Sequence, residues 1–342
     1  MRHLKNTWYA AAWSSELAPD RLLARRFFDE PTVMFRGKDG PAMIADYCPH
    51  RFAPLHRGRL ADGSVECGYH GLRFDGQGRC VHNPHGDGAV PAGCKVPSYR
   101  VAERHGVIWL WPGDAALADE EQIPDFSYLD APERKTVSGL ANVRAHYELI
   151  ADNLMDASHT QYVHSDLLGT DAFRRSKHEV FQDGEAVHSH YLIPGSAIPA
   201  AYAAYFDDPQ TRVDYSINFR WLPPGLVRNS VSLIPVDGIT PGILRTGSHF
   251  MTPETELTTH YFFAHTRNFR LDDESIDERI RWWQKAGLTE QDGAMIEACQ
   301  SVMGTADLES LHPVLFSIDA AAVRVRRVLG NLIDRERAKE ST

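Results

Sequence analysis

The chain has 342 residues, 43% hydrophobic and 24% charged, a composition that excludes disordered, collagen-like and disulfide-dense proteins. Asp plus Glu number 46 against 36 Lys plus Arg, and the resulting net charge of −10 argues against a nucleic-acid or anionic-membrane partner. At roughly 150 residues per domain the length predicts about two domains. No run reaches the ~18–20 apolar residues of a membrane span. The opening MRHLKNTW is followed by no signal-peptide core, and the five cysteines are odd in number and sparse. A reduced, cytoplasmic protein is expected.

Residues 1 to about 113 are predicted to be β-rich. Short apolar runs at Thr32–Phe35, Ala42–Asp46, Leu72–Asp75 and Val107–Trp111 are broken by Gly, Pro, Asn and Asp. Asp75-Gly76-Gln77-Gly78 is a turn signal, and Pro112-Gly113 closes the region. Residues 114–126 read as a connection between a first domain over 1–115 and a second over 116–342. A helix is expected from Tyr147 to about His164, with Leu149, Ile150, Leu154 and Met155 at helical spacing. Strands follow over 176–193, 213–220, 226–236 and 257–266. Asp272–Gly304 and the amphipathic Ile318–Lys339 read as helices. The fold class is α+β, an N-terminal all-β domain followed by a mixed domain.

Two Cys-His pairs carry the first chemical signal. Cys48-Pro49-His50 is a C-x-H pair, and after sixteen intervening residues Cys67-Gly68-Tyr69-His70 is a C-x-x-H pair. Each lies where a strand meets a turn, so two loop tips can close on one metal site. Chance pairing is one reading. A structural Cys₂His₂ zinc site is another, although zinc fingers place both cysteines before both histidines. A Rieske-type [2Fe–2S] centre is the third, in which one iron takes two thiolates and the other two imidazoles. Alternation of Cys and His across two loops suits that division.

A second cluster lies in DNLMDASHTQYVH, residues 152–164. His159 and His164 are five apart, so they converge only if the helix ends or distorts. Asp156, one turn before His159, could accept a proton from its non-ligating ring nitrogen. Two histidines and a carboxylate from elsewhere form the facial triad of non-haem Fe(II) oxygenases. The sequence has no G-x-G-x-x-G: Gly76-Gln77-Gly78 and Gly86-Asp87-Gly88 lack the third glycine, so no nucleotide or flavin site is expected.

CPHR followed by CGYHG resembles the Rieske motif of ring-hydroxylating and demethylating oxygenases. Asn6-Thr7-Trp8-Tyr9, HRFAPLHRG from His50 to Gly58, and the run from Ile108 to Asp114 extend the resemblance to the oxygenase components of vanillate and dicamba O-demethylases. That resemblance implies Cys48 and Cys67 on one iron, and His50 and His70 on the other. It leaves Cys80, Cys94 and Cys299 as ordinary small apolar residues. DNLMDASHTQYVH is similar to the mononuclear-iron segment of the same oxygenases, which implies His159 and His164 as Fe(II) ligands and Asn153 as a neighbour of the iron. The resemblance makes Asp156 a bridge to a Rieske histidine of an adjacent subunit, and Asp292 the third ligand. Locally, Thr289-Glu290-Gln291-Asp292 also reads as a helix-start capping arrangement. His249, Trp283 and the Asn229-Ser230 pair are the implied substrate contacts, against packing in a sheet core.

Two iron sites in one chain imply a monooxygenase or dioxygenase fed with electrons from outside. The expected partners are O₂, a small aromatic substrate and a separate NAD(P)H-dependent reductase, acting directly or through a ferredoxin. The implied assembly is a head-to-tail homotrimer of a Rieske domain joined to a helix-grip-like catalytic domain. The implied reaction is O-demethylation of a vanillate-like aromatic acid; methyl hydroxylation or N-demethylation is the alternative. An electron carrier with no catalytic iron, or a colourless zinc protein, would be the rivals from other classes.

Overall fold

A computed structural model describes residues 2–340. The chain divides into two compact units, one running to Phe126 together with Glu254–Glu256, the other comprising the rest.

The first unit is all-β, as its turn-broken apolar runs predict. A six-stranded sheet has the order β1-β10-β9-β4-β3-β2, built from Tyr9–Trp13 (β1), Leu23–Phe27 (β2), Glu30–Gly37 (β3), Gly40–Ala45 (β4), Ser98–Arg104 (β9) and Val107–Trp111 (β10). A four-stranded meander of Arg59–Ala61 (β5), Ser64–Glu66 (β6), Arg73–Phe74 (β7) and Cys80–His82 (β8) carries the second Cys-His loop. Val33, Phe35, Ile44, Leu55, Val65 and Phe74 form one core, and Cys48 and Cys67 are part of it. Residues 114–126 were expected to link the domains. Instead they fold in short turns onto this unit: the Trp8 indole donates to the Asp119 carbonyl at 2.8 Å, and Ile123 and Phe126 are buried. The first unit therefore extends past residue 115, because apolar side chains beyond Pro112-Gly113 still belong to its core.

The second unit is one seven-stranded antiparallel sheet with helices on it. The strands are Lys135–Val143 (β11), Lys177–Asp183 (β12), Ala186–Ala197 (β13), Arg212–Leu222 (β14), Leu226–Pro235 (β15), Ile243–Thr255 (β16) and Thr258–Arg267 (β17). Their order is β11-β17-β16-β15-β14-β13-β12. The segment read as one strand over 176–193 is a hairpin, turned at Gly184 with φ 58°. Strands β11 and β16 were absent from the sequence reading. β16 mixes Arg245, Thr246, Ser248 and His249 into a strand that is buried on both faces, so it shows no apolar alternation.

The helices bring the site residues to the sheet. Tyr147–Met155 (α1) buries Tyr147, Ile150, Ala151, Leu154 and Met155. Glu274–Trp283 (α2), a π-helical stretch Gln284–Gly293 and Ala294–Met303 (α3) form one continuous rod. Asp273 caps its start by accepting from the Ser275 amide at 3.1 Å, and Gly304 ends it with φ 65°. Arg267, fully buried on β17, pairs with Asp277 of α2 and donates to the Arg270 and Asp273 carbonyls, pinning the rod to the sheet. Ala320–Glu340 (α4) holds α1 through Arg326, whose guanidinium reaches Asp152 at 2.6 Å and Glu148 at 3.0 Å.

Candidate active site with two metal-binding constellations

The two Cys-His loops share one backbone plan. In the first, the Cys48 amide donates to the Ala53 carbonyl and the Phe52 amide to Cys48; in the second, Cys67 donates to Leu72 and Gly71 to Cys67, all at 2.8–3.0 Å. The residue four after each cysteine has positive φ, 56° at Phe52 and 73° at Gly71. Each turn buries its thiol in the core and leaves its imidazole outside: Cys48 and Cys67 are 2% and 3% exposed, His50 is exposed and His70 half-buried. The two rings lie 4.6 Å apart, centroid to centroid.

These residues fit a [2Fe–2S] cluster of the mixed kind. Burial pushes the Cys48 thiol up to about 11, with neighbouring Cys67 contributing, so a thiolate there requires cationic charge beside it. Two soft sulfurs face inward and two imidazoles outward, the division that a cluster with inequivalent irons needs. The His85 ring contacts the His70 carbonyl at 2.8 Å and helps fix the second loop. Cys80 and Cys94 pack half-buried against the core around this unit, and Cys299 is exposed. The cysteines without an assigned ligand role thus divide between packing and surface.

The second constellation comes from a break in α1. The helix ends at Met155 and Asp156 leaves helical geometry, with φ −117° and ψ 106°. A short 3-10 turn, Ala157–Gln161, then carries His159, and His164 follows in further turns. Convergence of the two histidines needs a break, and it falls eight residues before His164, not at its end. Asp156 supplies the new cap: its carboxylate accepts from the Ser158 amide and hydroxyl, both at 2.8 Å. The His159 Nδ1 is therefore held by the Asp156 backbone carbonyl, not by its carboxylate as expected from spacing.

Asp292 closes the triad from the π-helix. Its Oδ1 lies 3.4 Å from His159 Nε2 and 3.0 Å from His164 Nε2. The three ligand atoms all fall within 4.8 Å of one another. Thr289 caps nothing: it sits inside the continuous rod, its hydroxyl 3.4 Å from the Gln284 carbonyl. Gln291, beside Asp292, holds His164 Nδ1 at 2.7 Å, and Asn153 donates to Asp292 at 3.2 Å. With Nδ1 of each ring turned to an acceptor oxygen, both Nε2 lone pairs point toward a carboxylate oxygen. Such lone pairs repel unless a cation lies between them, so the arrangement fits a divalent metal with two imidazoles and one carboxylate. Burial lowers the His164 ring, but Asp292 and Gln291 outweigh it and hold it above its ordinary value, the signature of a site that seeks positive charge.

One cavity is lined by all three residues of this triad. His159, His164 and Asp292 line it together with Asn229, Arg245, His249, Trp283 and several apolar side chains. Its free volume is about 50 Å³, well below the ~300–1,000 Å³ of ligand clefts, so a ring-sized ligand must displace side chains to enter. Asn229, Val231 and Leu233 of β15 share the cavity face; Ser230, paired with Asn218 and Thr246, points to the other side. The expected Asn229-Ser230 pair is thus split by strand alternation, and only Asn229 reaches the cavity. Gly247 permits this approach, since a Cβ there would meet Asn229 Oδ1 at 1.8 Å. His249 Nδ1 contacts the Tyr261 hydroxyl at 2.6 Å, while its Nε2, Asn229 Oδ1, Arg245 Nε and Trp283 Nε1 are buried with no protein partner. Arg245 is not among the residues the sequence singles out; its signal is a charge between Leu244 and the small residues Thr246, Gly247 and Ser248 of one strand.

Asp292→Ala should lose the catalytic iron and keep the visible absorption of the Cys-His cluster. Metal analysis is expected to fall from two cluster irons plus one to the cluster irons alone, with zinc at neither site; an unchanged iron content would move the ligand role to another acid. His249 is also a stability determinant. Burial, and then the charge of Arg245, lowers it from 6.5 to about 3. The unfolded chain therefore binds a proton that the folded one refuses, so this contribution is complete above about pH 6.5 and is lost as pH falls toward 3. His249→Gln should flatten the acid loss of stability by up to about 1.4 kcal/mol per pH unit, measured by denaturant titration in that window.

Family matches fall on both units of the chain. The Rieske [2Fe-2S] domain family matches residues 7–100, and the vanillate O-demethylase oxygenase C-terminal domain family matches residues 143–335. The chain is 42% identical to the dicamba O-demethylase oxygenase component of Stenotrophomonas maltophilia, over 99% of this chain and 100% of that one. It is 38% identical to the chloroacetanilide N-alkylformylase oxygenase component of Rhizorhabdus wittichii, over 97% and 96%. A crystal structure of dicamba monooxygenase with non-haem iron and dicamba superposes with a TM-score of 0.86 at 38% identity, covering 99% of this chain and 100% of that one. The α+β architecture with an N-terminal Rieske domain holds, as do both cofactors, a [2Fe–2S] cluster and a mononuclear iron. Among the described residues no helix is long and apolar enough to cross a membrane. With matches spanning both units, this chain belongs to the Rieske non-haem iron oxygenases, as an oxygenase component of the vanillate and dicamba O-demethylase type, a monooxygenase served by a separate electron-donating component.

Proposed function

We propose that this oxygenase O-demethylates a methoxylated aromatic acid of the vanillate class. The observation that supports this reading is the cavity itself, lined by three side chains able to hold a metal, by unpaired polar atoms and by apolar surface. Methoxyarene, O₂, two protons and two electrons become phenol, formaldehyde and water. Iron, when bound by His159, His164 and Asp292, supplies O₂ activation. Asn153 holds the Asp292 carboxylate in place through its 3.2 Å hydrogen bond. Trp283, Asn229 and His249 position the ring, and the apolar wall keeps water from the reacting carbon. Tyr261, whose hydroxyl burial keeps protonated, donates to His249 Nδ1 and leaves Nε2–H for the substrate.

The electrons come from an NAD(P)H-dependent reductase, directly or through a ferredoxin, and pass between subunits of a head-to-tail homotrimer. Asp156 bridges the two centres: its backbone carbonyl holds His159 Nδ1, and its carboxylate would accept from a Rieske histidine of the neighbouring subunit. Two features support this. Asp156 and His159 line an outer groove of about 490 Å³. Beside it lies an exposed apolar run, with Val314 80%, Leu315 58% and Phe316 68% exposed. A closed ring of heterologous contacts would cover such a surface. Thiolate ligands and free cysteines suit a reducing, cytoplasmic setting. The similarity to an N-alkylformylase component supports N-dealkylation as the second reading.

A screen of methoxybenzoates with a surrogate reductase, reading formaldehyde, tests the reaction. At least one acid should yield formaldehyde in step with NAD(P)H consumed; turnover only with N-alkyl anilides would select the second reading. Asp156→Asn should leave the cluster spectrum intact and lower coupled turnover by a hundredfold or more, the order lost when groups that orient reactants are removed. Undiminished product formation would sink the bridge.

A further inference from the structure

Arg245 is the unexplained charge of this molecule. It lies near the start of β16, 3% exposed, on the cavity side of the sheet opposite Val231 of β15. Gly247 and His249 follow it on the same face, two and four residues on. Its Nη2 contacts the Tyr202 hydroxyl at 3.1 Å, and its guanidinium carbon lies 5.0 Å from the Tyr202 ring and 5.4 Å from the Trp283 ring. No carboxylate lies within 4.0 Å of it among the described ion pairs, and Nε has no partner at all. The buried arginine of this unit outside the cavity, Arg267, has Asp277 as its counter-ion. The acid in the cavity wall, Asp292, is taken up by His159, His164 and Asn153.

A buried guanidinium without an anion is costly, and a fold that keeps one at a cavity wall holds it for a ligand that brings the anion. We propose that Arg245 is the specificity-determining residue of this site, pairing in fork geometry with an anionic group on the aromatic substrate. The planar fork of donors matches the two oxygens of a carboxylate. The neighbouring polar atoms fit the same ligand. Burial and the charge of Arg245 keep His249 neutral, and His265 likewise, so Arg245 is the cation at this end of the cavity. Anchoring one end of a rigid ring at β16 also fixes how far its other end reaches toward the triad, which selects the methoxy position attacked. This inference rests on the aryl-acid reading above and assigns the charge recognition to a single residue.

The test compares methoxybenzoates with the matching uncharged methoxybenzamides, in ortho, meta and para series, by calorimetric titration of the holoenzyme. Wild type should bind its best benzoate at least about tenfold more tightly than the amide. Arg245→Gln should weaken that benzoate on the order of 10–100-fold and change the amide by less than about threefold, erasing the preference. Arg245→Lys should restore part of it. Retained cluster absorption and iron content show that the variants are assembled, and melting of ligand-free Arg245→Gln should occur at or above the wild-type temperature, since an unpaired buried charge is gone. A structural arginine would instead lower it. Equal loss of benzoate and amide in Arg245→Gln overturns the proposal, as does a kept preference. Wild type lacking that preference overturns it without any variant. If benzoates bind with this dependence on Arg245 but release no formaldehyde, the anchor stands and the demethylation reading fails.

Discussion

Asp292 is a carboxylate 5% exposed, wedged between two imidazole nitrogens whose lone pairs face it. That arrangement is favourable only around a cation, and much of the second unit serves to maintain it. Arg326 ties α1 to α4, so the segment that carries the histidines starts from a fixed base. The Asp156 cap ends α1 and redirects the chain, which turns a five-residue spacing into convergence. Arg267 and Asp277 hold the rod that delivers Asp292, and Gln284 fastens its π-helical part to β11 through the Val137 carbonyl at 2.8 Å. Outer hydrogen bonds to Asp156 and Gln291 orient both rings before any metal arrives.

The chemistry of the site was more legible than its geometry. Residue types state what can bind iron, so Cys48, His50, Cys67, His70, His159 and His164 stand out from their neighbours. Hydrophobic period states where helices lie, and the rod over 272–304 is found almost to the residue. Position on a face is harder. Asn229 and Ser230 are adjacent in sequence and opposite in space, and only strand register separates them. Thr289 reads as a cap because capping is a local pattern, whereas rod continuity depends on Gln284, Trp283 and the sheet beneath. β16 was invisible for the same reason that it matters: a strand that places Arg245, Gly247 and His249 in a cavity cannot also show an apolar rhythm.

The two sites are built on contrasting principles. In the first unit the thiols are part of the hydrophobic core and the imidazoles lie at the surface, which suits a centre that exchanges electrons and never touches substrate. In the second, His164 and Asp292 are buried and the triad opens onto a small cavity lined mostly by buried side chains. His159 lies at the boundary between that cavity and the outer groove, lining both. One ligand thus faces the route by which electrons would arrive and the space in which substrate would sit.

The π-helical stretch gives this chain an unusual relation between length and activity. In an ordinary helix each residue turns the following side chains by about 100°. A π-helix holds extra residues within an otherwise regular rod, and Gln284–Gly293 is such a stretch. Removing a single residue there could let the rod relax into regular α-helix. The strand contacts and the capped ends at Asp273 and Gly304 could then persist while the Asp292 carboxylate rotates out of the triad. The product would be a folded protein with an intact electron-transfer centre and no oxygenase site. Helical register in this rod, and not only the identity of residue 292, therefore decides whether a carboxylate meets the two histidines.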